Sequence, residues 1–108
     1  MVQNKIKPEI IKKVQLFVQK ARQKGIKIDS LIVFGSQVSG QAKVYSDIDI
    51  CIVSSQFSRN NLEDTVKLRL LADTVDWRIE PHVFSPKDMK MKGNPIVYEI
   101  LTSGEKVI

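Results

Sequence analysis

The sequence predicts an α/β fold, on three observations. Ile10, Ile11, Val14, Phe17, Val18 and Ala21 recur at helical spacing and form one apolar stripe. Two short apolar runs, Leu31–Phe34 and Ile50–Val53, are bounded by Gly and Ser and read as buried strands. Helix-like and strand-like segments then alternate to the last residue. With 108 residues, 43% of them hydrophobic, the chain is expected to fold as one domain over residues 1–108 around a modest core.

Taken in order, residues 8–24 form the first helix. Pro8 suits its first turn and Gly25 the position after its end. Its polar face carries Lys12, Lys13, Lys20, Arg22 and Lys24, a solvated face by default. The first strand, about Leu31–Phe34, stops at Gly35-Ser36, and a short helix is expected within Ser36–Gln41, with Ser36 as its expected cap. A second strand follows over Asp47–Val53. A polar loop leads to Asn60 or Asn61, either of which can cap a helix over 62–72 with Leu62, Val66 and Leu70 inward, and Leu68 or Leu71 beside them. A third strand is expected over Val75–Phe84, with Val75, Trp77, Ile79 and Val83 on one face and Asp76, Arg78, Glu80 and His82 on the other. Pro81 marks that strand as an edge or a bulge. Ser85, Pro86 and Asp88 have the spacing of a capped helix start. Asn94-Pro95 opens a last helix, Gly104 ends it, and Glu105–Ile108 can add a short strand.

The chemistry concentrates between Ser30 and Val53. On a strand, Asp47 and Asp49 project to the same face while Ile48, Ile50 and Ile52 line the other. Two adjacent like charges at the mouth of an apolar strand call for a neutralising cation, and hard carboxylate oxygens suit Mg²⁺. Gly35 lets backbone N–H groups approach a phosphate closely, and Ser36 sits where a following helix N-terminus favours anions. Gly35 and Gly40 share the glycine spacing of a Walker loop, but Gln41 and Ala42 stand where that motif needs Lys and Ser or Thr. No dinucleotide fingerprint is present.

Gly35-Ser36, Gly40 and Ser46-Asp47-Ile48-Asp49 together resemble the nucleotidyltransferase superfamily of the polymerase-beta type, and within it the minimal nucleotidyltransferases. The resemblance is strongest over Leu31–Val53. It implies a small mixed β-sheet with helices packed mainly on one face. It also implies Mg²⁺-dependent transfer of a nucleoside monophosphate from an NTP, ATP first, to a hydroxyl. Two Mg²⁺ ions are expected, with Asp47, Asp49 and a third carboxylate as metal-holding and catalytic residues, and Gly35 and Ser36 as nucleotide-binding residues. For the third carboxylate Glu80 and Asp76 share a strand face but lie about 13 Å apart along it, so only one can serve. The run Glu80-Pro81-His82-Val83-Phe84-Ser85-Pro86 resembles the family's strand and favours Glu80, which is also the first candidate to help deprotonate the acceptor. His82 shares that face, but imidazole is a poor ligand for Mg²⁺.

One departure bears on activity. Family loops often read Gly-Ser-Arg-x-Arg-Gly, and here Gln37, Val38 and Ser39 follow Ser36. The loss of both arginines lowers the triphosphate affinity expected of the loop, with Lys43 the nearest substitute, and points to weak or lapsed activity. The alternative function is therefore a non-catalytic subunit that keeps the fold to bind a partner. For the enzyme and the alternative alike, the resemblance implies a small helical HEPN-domain partner in a toxin–antitoxin pair.

Composition adds boundaries. A net charge of +5 favours acidic partners, but no recognised motif supports a nucleic acid. No apolar run approaches the roughly 20 residues of a membrane span. The N-terminus lacks a signal-peptide core, and Cys51 as sole cysteine excludes an internal disulfide, which together place the expected site of action in the cytoplasm.

Overall fold

A computed structural model describes residues 6–57, 62–91 and 93–108. Pro8 opens α1, Pro8–Gln23, where its missing N–H costs nothing. Gly25 closes the helix at φ 84°, and Ile10, Val14, Phe17, Val18 and Ala21 are buried along one stripe. The four strands are β1 (Ser30–Phe34), β2 (Ile48–Val53), β3 (Ile79–Phe84) and β4 (Glu105–Lys106). They stand in the order β3-β2-β1-β4. β1 runs antiparallel to β2 and β4, whereas β2 and β3 are parallel, so the sheet is mixed.

Strand alternation divides the side chains between two faces. Leu31, Val33, Ile48, Ile50, Ile52 and Ile79 pack with α1 and with Leu68 and Ala72 of α3 (Leu62–Val75). Phe34, Cys51 and Val53 face the other way and meet Ile100 of α4 (Pro95–Ser103), with Ile32, Phe84 and Met89 around them. Asp49, Glu80 and His82 belong to this second face. The principal helical layer therefore lies behind the sheet, and the polar residues face away from it. Cys51 is fully buried, and burial pushes its thiol up to about 12, which suits inert packing.

Three local expectations are corrected. The third strand begins at Ile79, not Val75. Residues 68, 71, 72 and 75 recur at helical spacing, so α3 runs on to Val75, and Asp76–Arg78 form a turn in which Trp77 is exposed. Accordingly Leu68, Leu71, Ala72 and Val75 face the sheet, while Leu62, Val66 and Leu70 lie on the exposed side of the helix. The segment after Ser85 makes a single 3-10 turn, Asp88–Lys90, although the reciprocal cap forms as expected: Ser85 N–H donates to Asp88 Oδ2 and Asp88 N–H to Ser85 Oγ, at 2.9 and 3.1 Å. Asn60 and Asn61 lie outside the described residues. Among the described residues Pro81's strand pairs with β2 alone, so its missing donor leaves no ladder bond unmade.

The shift of the strand start decides what Asp76 does. Its side chain, 7% exposed, accepts from Arg78 Nη2 at 2.8 Å, Arg78 Nε at 3.0 Å and Lys13 Nζ at 2.6 Å, which ties the α3–β3 turn to α1. The Arg78 guanidinium holds the Asp76 carboxyl well below the usual carboxylate range. A carboxylate with a depressed native pKa contributes stability above its unfolded pKa, about 4, and loses it as pH falls. Asp76→Ala should therefore cost about 3 kcal/mol at pH 7, because it strands the half-buried Arg78. Urea midpoints between pH 7 and 3 should show the wild type and variant converging in the acid range. Parallel curves would mean that the ion pair contributes nothing.

Candidate active site

The apolar run of β1 ends where Gly35 takes φ 80° and ψ −148°, a conformation that disfavours any side chain, and the chain turns into α2, Ser36–Ser39. Gly35, not Ser36, caps this short helix, and its carbonyl accepts from the N–H groups of Val38 and Ser39. In the β1–β2 ladder Phe34 stands opposite Asp49, which brings the Asp49 carboxylate to the turn. A Cβ built on Gly35 would lie 2.7 Å from Asp49 Oδ2. Glycine here thus leaves free the carboxylate edge that faces the turn.

Along the parallel β2–β3 ladder, Asp49 stands opposite Glu80. In-register residues of paired strands share a face, so the two carboxylates flank each other across one strand spacing, about 4.8 Å. Asp49 Oδ1 lies 3.2 Å from His82 Nε2, and the His82 ring tilts against Phe34 with centroids 5.1 Å apart. Glu80 Oε2 is 2.5 Å from Arg69 Nη1, which reaches it from α3. Asp76, the other candidate, is occupied by Lys13 and Arg78 in the turn before β3.

Asp47 lies one residue before β2 and is exposed. Its position is set by its backbone. The buried Gln37 side chain donates to the Asp47 carbonyl at 3.2 Å, which links the phosphate-loop candidate to the carboxylate strand. Upstream, Ser46 and Lys43 close a turn through Lys43 N–H to Ser46 Oγ at 2.8 Å, and Arg78 Nη1 donates to Val44 O at 2.9 Å. Lys43 lines a cavity with Lys13, Asp76 and Trp77. A different cavity, about 640 Å³, opens at Gly35, with Val38 and Ser39 on one side and Glu99, Thr102 and Ser103 of α4 on the other.

The structure therefore gathers Gly35, Asp49 and Glu80 around one sheet end, with Asp47 at the entrance to β2 and Ser36 at the start of α2. Among the described residues, no three His, Cys, Asp or Glu side chains converge as a preformed metal cage. Mg²⁺ typically keeps one or two carboxylates and completes its shell with water and substrate phosphate oxygens. The hard oxygens of Asp47 and Asp49, with the Asp49 edge kept open by Gly35, fit that demand. Sequence reasoning missed Gln37 and Arg69. Gln37 reads as a lost arginine until its bond to Asp47 is seen, and Arg69 reaches Glu80 only because β3 is the sheet edge.

A family model for the nucleotidyltransferase domain matches residues 9–95. The "putative protein adenylyltransferase" of Methanocaldococcus jannaschii is 34% identical over 98 residues, which cover 85% of this chain and 66% of that protein's length. Among solved structures, a toxin–antitoxin complex with AMP-PNP gives a TM-score of 0.62 at 20% identity, over 91% of this chain and 72% of that chain. A mutant of the MntA–HpeT toxin–antitoxin complex gives 0.59 at 17% identity, over 89% and 72%. These two likenesses show the fold. The family match runs from α1 to the start of α4 and takes in the Gly35 turn and all three carboxylates, and on it the chain belongs to the nucleotidyltransferase domain family.

Proposed function

We propose that the protein is a Mg²⁺-dependent nucleotidyltransferase that moves AMP from ATP to a hydroxyl on a partner protein, as the antitoxin of a toxin–antitoxin pair. The observation that carries this reading is the register Phe34–Asp49–Glu80, which sets two carboxylates beside an open glycine turn. The adenylyltransferase name of the M. jannaschii relative supports AMP as the group moved, and the AMP-PNP of a structural neighbour supports ATP. The toxin–antitoxin neighbours support a protein partner, which we assign to the small helical HEPN type.

Asp47, Asp49 and Glu80 would hold Mg²⁺. Bound there, Mg²⁺ supplies charge neutralisation at the α-phosphate and at the departing pyrophosphate. Gly35 gives the triphosphate close access to backbone N–H groups, and Ser36 adds a hydroxyl at the same turn. The acceptor oxygen bonds to the α-phosphorus as the bond from the α-phosphorus to the bridging oxygen breaks, and pyrophosphate leaves. Glu80 would take the hydroxyl proton.

The test co-expresses the chain with a candidate partner, a small helical protein sought in the neighbouring reading frame. Label from α-³²P-ATP should pass to the partner with Mg²⁺ and not with EDTA, and label from γ-³²P-ATP should not pass at all. A stable complex of the two proteins that takes up no label would favour the alternative, a binding subunit without catalysis. The uncharged run Gln37-Val38-Ser39 in the loop is the observation that keeps this alternative in play.

A further inference from the structure

The loop from Gly35 to Gly40 contains no cation, yet a triphosphate brings several negative charges to a site already lined with carboxylates. The basic residues near it divide clearly. Arg78 and Lys13 are committed to Asp76, and Lys43 lines a cavity with them. Arg69 differs. It leaves α3 beside the buried Leu68, passes the open edge of β3 and ends on Glu80. Glu80 in turn stands in register with Asp49, and Asp49 with the last residue before Gly35. Three adjacent strands thus line up the carboxylates with the glycine turn, and Arg69 stands at the Glu80 end of that line.

We infer that Arg69 is the phosphate-binding cation of this site and that Glu80 holds it in waiting until nucleotide arrives. The inference rests on the nucleotidyltransferase reading. The side chains of Arg69 and Glu80 are 48% and 38% exposed, so their ion pair is weak and exchanges at little cost. A phosphate offers the guanidinium a paired set of oxygens that it binds more strongly than one carboxylate oxygen. The exchange does two things at once: it brings positive charge to the nucleotide and it releases Glu80 to the metal or the acceptor proton.

Calorimetric titrations with ATP and with adenosine, each in EDTA and in Mg²⁺, test this on the wild type, Arg69→Ala, Arg69→Lys and Glu80→Gln, with circular dichroism to confirm folding. Arg69→Ala should weaken ATP binding about tenfold in both conditions and leave adenosine unchanged. Arg69→Lys should fall between, because a point charge replaces a fork. Glu80→Gln should strengthen ATP binding in EDTA, because it frees Arg69. Equal ATP affinity for wild type and Arg69→Ala would overturn this assignment alone. A wild type that binds no ATP in either condition would overturn both the assignment and the reading beneath it.

Discussion

Asp49→Asn should reduce AMP transfer by about 10²- to 10³-fold, the loss expected when several kcal/mol of metal-borne charge stabilisation are removed. Asparagine keeps the size of the side chain and an acceptor oxygen for His82, so the change is close to a pure loss of charge. The fold should not suffer. Asp49 stands beside Glu80 with Asp47 two residues away, and like charges at that spacing oppose one another. The thermal midpoint of Asp49→Asn should therefore be unchanged or raised while Mg²⁺-dependent ATP binding falls. Asp47→Asn should behave likewise. A variant that lost activity and melted early would show a structural role. Wild-type transfer by the Asp47→Asn, Asp49→Asn double variant would remove the metal site from the proposal altogether.

Much of this was legible in the sequence, and the limits of that legibility are physical. Continuous apolar runs bounded by Gly and Ser place β1 and β2 within a residue of where they stand, because both strands are central and their apolar content is dictated by burial on two faces. β3 is different. As an edge strand it needs less apolar content, and the alternation of Val75 through Arg78 imitates a strand that the helix overrides. The same competition reversed the faces of α3: Leu62, Val66 and Leu70 make as good a stripe on paper as Leu68, Ala72 and Val75, and only the sheet chooses between them. Among the proposed site residues, the local pair Asp47 and Asp49 is written in the spacing. Glu80 over Asp76 depends on strand register, and Arg69 on a reach around an edge, neither of which a linear pattern encodes.

Gly35→Ala should separate the site from the basic surface as the seat of nucleotide binding. One methyl group at Gly35 meets two different obstacles. The backbone obstacle is φ 80° with ψ −148°, a region that is essentially glycine-only, where a Cβ costs about 1–3 kcal/mol, so some loss of stability is expected. The steric obstacle is Asp49 Oδ2, 2.7 Å from the new atom. That atom is the end of a side chain, not backbone, so the carboxylate can swing aside and let the turn persist. The chain should still fold, with a urea midpoint lowered in proportion to the backbone strain. The swing carries Asp49 off its position beside Glu80, and the methyl stands where a phosphate would approach the backbone. Mg²⁺-dependent ATP binding should then drop by about 100-fold or more, well beyond the effect on stability. Gly35→Val should abolish it. Neutralising Lys12 and Lys20 on α1 gives the contrast. Lys12 is exposed and Lys20, among the described residues, reaches Thr74 on α3, so any effect on ATP acts through a screened field that fades between low salt and about 0.15 M. Binding isotherms for each variant at two salt concentrations decide the matter. If folded Gly35→Ala binds ATP as the wild type does and the lysine variant does not, the basic helix is the binding surface and the glycine turn is only a turn.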